Sequence, residues 1–335
     1  MTATGTPLAV LGAGSWGTAL AIQFARTGHD TRLWARDATL LAAMAHDRRN
    51  ARYLPDASFP DSLRVVDTLR AAIDGAQDIL VAVPSHALRS LLKELAPILP
   101  PEARLAWATK GFELETGLLP HQVAREELGS ARAFAVLSGP TFAREVGAGL
   151  PTAMTIAATE EAFAISLAQS LSSANFRAYT STDIVGVEVG GATKNVLAVG
   201  AGLADGLGFG ANTRVALITR GLVEMTRLGV ALGAQKETFM GLAGLGDLVL
   251  TCASRKSRNF AFGDDLGRGL SLSEAGGGKL AEGVHTARIL VDMARARRID
   301  MPIAEAVADI LAGRISIQES IDLLLMRPLK TEYET

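Results

Sequence analysis

The chain has 335 residues, 48% hydrophobic and 20% charged, with a formal net charge of −2. That length suits two globular domains, and the near-neutral balance excludes a basic nucleic-acid surface or a polybasic membrane anchor. The single cysteine, Cys252, precludes an intramolecular disulfide and fits a reducing compartment, and no Cys/His cluster points to a metal. The first residues show no targeting pattern, and the longest apolar stretches, such as 196–204, fall short of the roughly 20 residues a membrane span needs. A cytoplasmic protein is expected.

A strand over 8–11 runs into Gly12-Ala-Gly14-Ser-Trp-Gly17, and a helix over 15–27 follows, closed by Gly28. In this setting Gly12 permits the tight turn, Gly14 lets the backbone approach a pyrophosphate, and Gly17 lets the helix pack closely on its strand. The helix N-terminus favours an anion. Dinucleotide binding is the expected use. A second strand, over 31–35, ends in Ala35-Arg36-Asp37, with no acid where a ribose 2′-OH is usually bound. Arg36 there suits a 2′-phosphate, so NADPH is expected to be accepted, and use of both NADPH and NADH fits as well. A solvated loop arginine is the plainer reading. Asp37 is placed to cap the next helix. Further strands over 64–66, 79–83, 104–108, 134–137, 152–157 and 176–179 make about eight, alternating with helical patterns. That alternation predicts an α/β Rossmann-type domain with a doubly wound parallel sheet over residues 1–183.

Ligands in such a sheet bind where strands end. Lys110, in Ala108-Thr-Lys-Gly111, and Gly139-Pro-Thr141, with Phe142-Ala143 opening a helix, both lie at such ends. An exposed turn lysine is the plainer reading of Lys110. After about Asp183 the β-like runs stop and glycine and alanine accumulate to Gly210. Helical patterns follow Asn212 (Ile218, Leu222, Met225, Leu232) and cover 284–298, 303–311 and 317–326. An all-α C-terminal domain over 184–335, joined to the first through a long shared helix, is expected.

Lys194 stands alone in Gly190-Gly191-Ala-Thr-Lys194-Asn195. Burying an unpaired ammonium there would cost several kcal/mol or lower its pKa, making it a competent general acid or base. A lysine that snorkels to water is the alternative. Asp247 follows a glycine-rich turn, where a carboxylate can orient a hydroxyl or a lysine. Ser257-Arg258-Asn259 offers hydroxyl, guanidinium, amide and a possible helix N-terminus, together a phosphate clamp. In isolation the same triplet reads as a helix cap with a surface arginine. Cys252 reads as a packed residue. His46, His121 and His285 read as surface or helix-end residues, and His86 as a site-edge or cap residue.

These motifs, with Val83-Pro-Ser-His86, Ser138-Gly-Pro-Thr141-Phe-Ala, Gly206-Leu-Gly-Phe-Gly-Ala-Asn212 and Gly244-Leu-Gly-Asp247, closely resemble, in order over residues 8–285, the bacterial-type NAD(P)-dependent glycerol-3-phosphate dehydrogenases. The resemblance implies a 6-phosphogluconate-dehydrogenase-like arrangement of the two domains. It implies reversible reduction of dihydroxyacetone phosphate, a small phosphorylated three-carbon substrate, to sn-glycerol 3-phosphate for glycerophospholipid synthesis. Lys194 would be the proton donor and acceptor. Lys110, Gly139, Thr141, Lys194, Asp247, Ser257, Arg258 and Asn259 would bind substrate. Gly12, Gly14, Ser15, Trp16, Gly17, Arg36, Lys110, Ala143, Arg258, Leu280 and Glu282 would hold NADPH or NADH, without a metal. Relatives suggest a homodimer. The stretch 271–280 is unusually glycine-rich, which weakens the expectation for Leu280. The rival expectations are a 3-hydroxy-acid or sugar-acid dehydrogenase of the same architecture and, more remotely, a non-catalytic NAD(P)H sensor.

Overall fold

The computed structural model describes residues 6–326, in two compact units. One holds the residues up to Glu113 together with Leu118–Val187, and the other holds Leu114–Gly117 with the residues from Glu188 onward. The division falls within one long helix.

The first unit runs β1 (Leu8–Leu11), α1 (Ser15–Arg26), β2 (Thr31–Trp34), α2 (Ala38–Asp47), β3 (Arg49–Asn50), β4 (Leu54–Ser58), β5 (Leu63–Val65), α3 (Leu69–Ile73) and β6 (Asp78–Val81). It continues with α4 (Ser85–Leu95), β7 (Arg104–Trp107), α5 (Pro120–Leu128), β8 (Phe134–Ser138), α6 (Ala143–Gly147), β9 (Thr152–Ala158), α7 (Glu161–Leu171) and β10 (Phe176–Ser181). The strands form an eight-stranded sheet in the order β10-β9-β8-β7-β6-β1-β2-β5. The inner strands read as unbroken apolar runs because both faces are covered, and all four residues of β1 are buried. Asp37 caps α2, its carboxylate accepting from Leu40 N at 3.0 Å, as expected.

The eight expected strands are all present, with ends moved by one or two residues. The sheet is not wholly parallel, however: β9 runs antiparallel to β8, whereas β10 runs parallel to β9. The connection after β8 contains only the five-residue α6. That helix rises about 7.5 Å, less than half the roughly 17 Å length of β8, and the chain re-enters the sheet antiparallel after it. The eleven-residue α7 precedes β10, which returns parallel to β9. The two-stranded β3–β4 ladder, broken by a bulge and containing Pro55, carries no sequence pattern long enough to show.

The second unit is helical: α8 (Ile184–Gly206), which begins in the first, then α9 (Ala211–Ala231), α10 (Asp247–Cys252), α11 (Arg258–Gly267), α12 (Glu282–Ala296), α13 (Pro302–Leu311) and α14 (Ile317–Leu325). A π-helical turn, Leu242–Gly246, precedes α10. α8 and α11 pack backbone against backbone. A Cβ on Gly202 or Gly206 would overlap the carbonyl of Phe260 or Asp264, and one on Gly263 or Gly267 would overlap that of Val199 or Leu203. This seam explains the glycine and alanine accumulation along α8. Buried Glu224 of α9 accepts from Ile303 N at 2.7 Å and Ala304 N at 3.1 Å, capping the start of α13. Among the described residues, no helix is long and apolar enough to cross a membrane.

Candidate active site

The C-terminal ends of β1, β2, β6, β7 and β8, which are mutually parallel, lie along one edge of the sheet. Gly12 follows β1 at φ 117°, and a Cβ there would sit 2.5 Å from the Ala82 carbonyl oxygen. A Cβ on Gly17 would overlap the Gly12 carbonyl. Gly14, the N-cap of α1, differs: no described atom outside its chain neighbours lies within 4 Å of its Cβ position. Two glycines therefore serve packing and one leaves clearance at a helix N-terminus without acidic residues in its first turn. Trp16 Nε1 is buried with no hydrogen-bond partner among the described residues, an orphaned donor beside that clearance in sequence. Ser15 Oγ donates to Tyr53 O at 2.9 Å, which leaves main-chain N–H as its simplest contribution to a ligand. These features fit a dinucleotide pyrophosphate.

Buried Asn50 braces the glycine turn. Its amide donates to Ala13 O and to Thr18 Oγ1, each at 2.9 Å, and its oxygen accepts from Tyr53 N at 3.1 Å. Arg36, just past β2, pairs through Nη2 with Glu94 and with Ser90 Oγ at 3.2 Å, both on α4. Lys110 is half-buried beyond β7, and Thr109 Oγ1 ties that loop to Val83 O at 2.7 Å. Three residues after Lys110, Glu113 is gripped at both oxygens by Arg89 of α4, at 2.7 and 2.8 Å. Gly139 follows β8, Thr141 Oγ1 donates to Gly139 O at 3.2 Å, and Ala143 opens α6.

In the second unit Lys194 is 7% exposed, so it does not snorkel. Nor is it unpaired, contrary to the sequence argument: Nζ donates to Asp247 Oδ1 at 2.5 Å and Thr251 Oγ1 at 3.2 Å. The carboxylate, itself 1% exposed, offsets the cost of burying the ammonium. Asp247 leaves a π-helical turn, not a simple glycine loop, with Gly246 N bonded to Gly241 O at 3.1 Å. A Cβ on Gly190 would sit 2.5 Å from the Ala243 carbonyl, and this close approach of the π turn to α8, one turn before Lys194, brings the two charges together. Beside them burial pushes the Cys252 thiol up to about 12, with the Lys194 charge lowering it and that of Asp247 raising it by less than burial does.

Ser257 is the N-cap of α11, its Oγ accepting from Phe260 N at 3.3 Å. Both polar ends of the Asn259 side chain are engaged: Nδ2 donates to Asn195 Oδ1 at 3.0 Å, and Oδ1 accepts from Gly283 N at 2.8 Å. What Asn259 offers a ligand is thus its main-chain N–H in the first helical turn. Asn195 donates to Glu282 at 3.2 Å, and Arg258, 80% exposed at its side chain, donates to the other oxygen of Glu282 at 3.1 Å. Arg258, Asn259, Glu282 and Asn195 form one network, and Asn195 adjoins Lys194. Leu280 is exposed.

The profiles of the N- and C-terminal domains of NAD-dependent glycerol-3-phosphate dehydrogenase match residues 7–164 and 183–322. The chain belongs to the NAD-dependent glycerol-3-phosphate dehydrogenase family. It is 50% identical over 328 residues to the glycerol-3-phosphate dehydrogenase (NAD(P)+) of Klebsiella pneumoniae (strain 342), covering 97% of each chain. Identity and coverage are the same for the Yersinia pestis (strain Pestoides F) protein of that description. The crystal structure of glycerol-3-phosphate dehydrogenase from Coxiella burnetii superposes with a TM-score of 0.91 at 42% identity, over 96% of this chain and 99% of that one. Within this dehydrogenase fold, Asn50, Arg89, Thr109, Asn195 and Thr251 are site-shaping residues that sequence reasoning missed. A buried polar residue among apolar neighbours is the one signal that could have pointed to Asn50.

Proposed function

We propose that the protein is an NAD(P)-dependent sn-glycerol-3-phosphate dehydrogenase that reduces dihydroxyacetone phosphate to sn-glycerol 3-phosphate, with Lys194 as general acid and base. The observation that carries this reading is the buried Lys194–Asp247 pair adjoining, through Asn195, the network at the start of α11. NAD(P)H, when bound, supplies the hydride. The Lys194 ammonium stabilises the developing alkoxide at the C2 oxygen and gives it a proton, and in the reverse direction the amine takes it back. Asp247 aims the ammonium throughout and remains a carboxylate. The first turn of α11 and the Arg258 guanidinium hold the substrate phosphate, with Ser257 and Asn259 contributing from that turn. Lys110, Gly139 and Thr141 contact the substrate as well.

The cofactor is held by the turn at Gly12, Gly14 and Gly17 with Ser15 and Trp16, by Arg36 at a 2′-phosphate, and by Lys110 and Ala143. Arg258, Leu280 and Glu282 complete its contacts. The enzyme acts in the cytoplasm as a homodimer and feeds glycerophospholipid synthesis.

The test follows nicotinamide absorbance with dihydroxyacetone phosphate, using NADPH and NADH, beside the Lys194→Ala variant. Oxidation is expected with native protein and is expected to fall by roughly 100-fold or more in the variant, with cofactor affinity retained. Turnover of 3-hydroxy acids in place of the triose phosphate would reject the substrate. An equal loss of cofactor affinity in Lys194→Ala would reject the role of the lysine.

A further inference from the structure

Beyond β2 in the first unit, Arg36 and Arg52 are each already matched by a carboxylate. Arg52 pairs with Asp37 at 3.1 Å, and Arg36 pairs with Glu94. The Arg36 and Glu94 side chains are 54% and 49% exposed, so the pair is open to solvent and to ligands. Both bonds made by the Arg36 guanidinium leave from one nitrogen, Nη2, to Glu94 Oε1 and to Ser90 Oγ. Ser90 is held ready as an acceptor because its own hydroxyl donates to Ala87 O at 3.1 Å.

A guanidinium grips a phosphate through two parallel N–H groups. It can do so end-on, with Nη1 and Nη2, or side-on, with Nε and Nη2. Either fork needs a hydrogen of Nη2, and both hydrogens of that atom are occupied by groups on α4. A 2′-phosphate therefore has to displace Glu94 or Ser90 before Arg36 can hold it in full. A 2′-hydroxyl makes no such demand.

We propose that Glu94 is a cofactor-discriminating residue: by holding Arg36 it competes with the 2′-phosphate of NADP(H) and draws the enzyme's preference toward NAD(H). This rests on the reading of Arg36 as the 2′-phosphate contact. Glu94 acts through Arg36 as a positioning residue and does not touch the reacting atoms. Because the pair is exposed, its influence is modest and falls as salt screens it.

The experiment is calorimetric binding of NADPH and of NADH to the full-length protein, to Glu94→Gln, to Arg36→Ala and to the double variant, at low and high ionic strength. Glutamine keeps an acceptor for Nη2 and removes the charge. Glu94→Gln is expected to tighten NADPH about two- to fivefold at low salt, with NADH unchanged, less at high salt, and not at all in the Arg36→Ala background. If Glu94→Gln leaves NADPH affinity unchanged or weakens it while Arg36→Ala still weakens NADPH, the competition is absent and the proposal falls, although the Arg36 reading stands. If tightening persists in the double variant, Glu94 acts by general charge and the route through Arg36 is wrong. If Arg36→Ala leaves NADPH affinity untouched, the reading of Arg36 itself fails and takes the proposal with it.

Discussion

Lys194 and Asp247 are buried together, so altering either leaves the other charge uncompensated. Asp247→Asn is expected to destabilise the second unit by about 3–5 kcal/mol, seen as a lowered Tm. It should also move the pH at which dihydroxyacetone phosphate reduction fails to lower values, because a carboxylate that favours the charged ammonium has gone. A pH profile unchanged from native would remove Asp247 from its role. Arg258 is exposed and pairs with Glu282, so Arg258→Ala should leave the fold intact and raise KM for the triose phosphate, by roughly tenfold for a lost charge-assisted contact. An unchanged KM would exclude it from phosphate binding. The lysine was legible in the sequence because a cation inside a run of small apolar residues needs a reason. Asp247 was legible as a carboxylate able to orient a hydroxyl or a lysine, but not as the partner of this lysine, because it lies 53 residues away and meets it through the π turn. Ser257-Arg258-Asn259 satisfied the plain expectation, since Ser257 caps α11 and Arg258 faces solvent.

At the scale of elements, inner strands such as β1 and β8 were readable because burial on both faces leaves unbroken runs of strand length. Strand direction was not readable, since connecting helices of equal length lead to both: the five-residue α3 leads from β5 to the parallel β6, and the five-residue α6 from β8 to the antiparallel β9. After α7, β10 runs parallel to β9. The glycines of α8 were visible as composition, but their use became plain only with the matching Gly263 and Gly267 on α11. Gly263→Ala drives a Cβ into the Val199 carbonyl, and overpacking of this kind costs about 1–3 kcal/mol. A lower Tm is expected, together with a raised KM for the substrate, because α11 carries Arg258 and Asn259 at its first turn. A variant with native Tm would show that the seam has slack.

For the whole molecule, Glu224 ties stability to pH. Burial, partly opposed by the N–H groups of Ile303 and Ala304, raises its pKa from 4.5 to about 8. The folded chain thus holds a proton that the unfolded chain releases near 4.5. The associated stability is complete below that value and is lost as pH rises through about 8. Stability should therefore decline between these limits, and Glu224→Gln should flatten that slope in thermal melts across the range. An unchanged slope would assign the pH dependence elsewhere.

Helix α4 serves two masters. One stretch of it restrains Arg36 through Ser90 and Glu94, and Arg89, beside Ser90 in sequence, grips the loop that carries Lys110. An engineer who redesigns that helix to swap one nicotinamide cofactor for the other also disturbs the anchor of a lysine loop on the next strand. Selection faces the same bind. Drift in cofactor preference is cheapest at Glu94, one turn beyond Arg89, where the charge can change and the anchor stay in place.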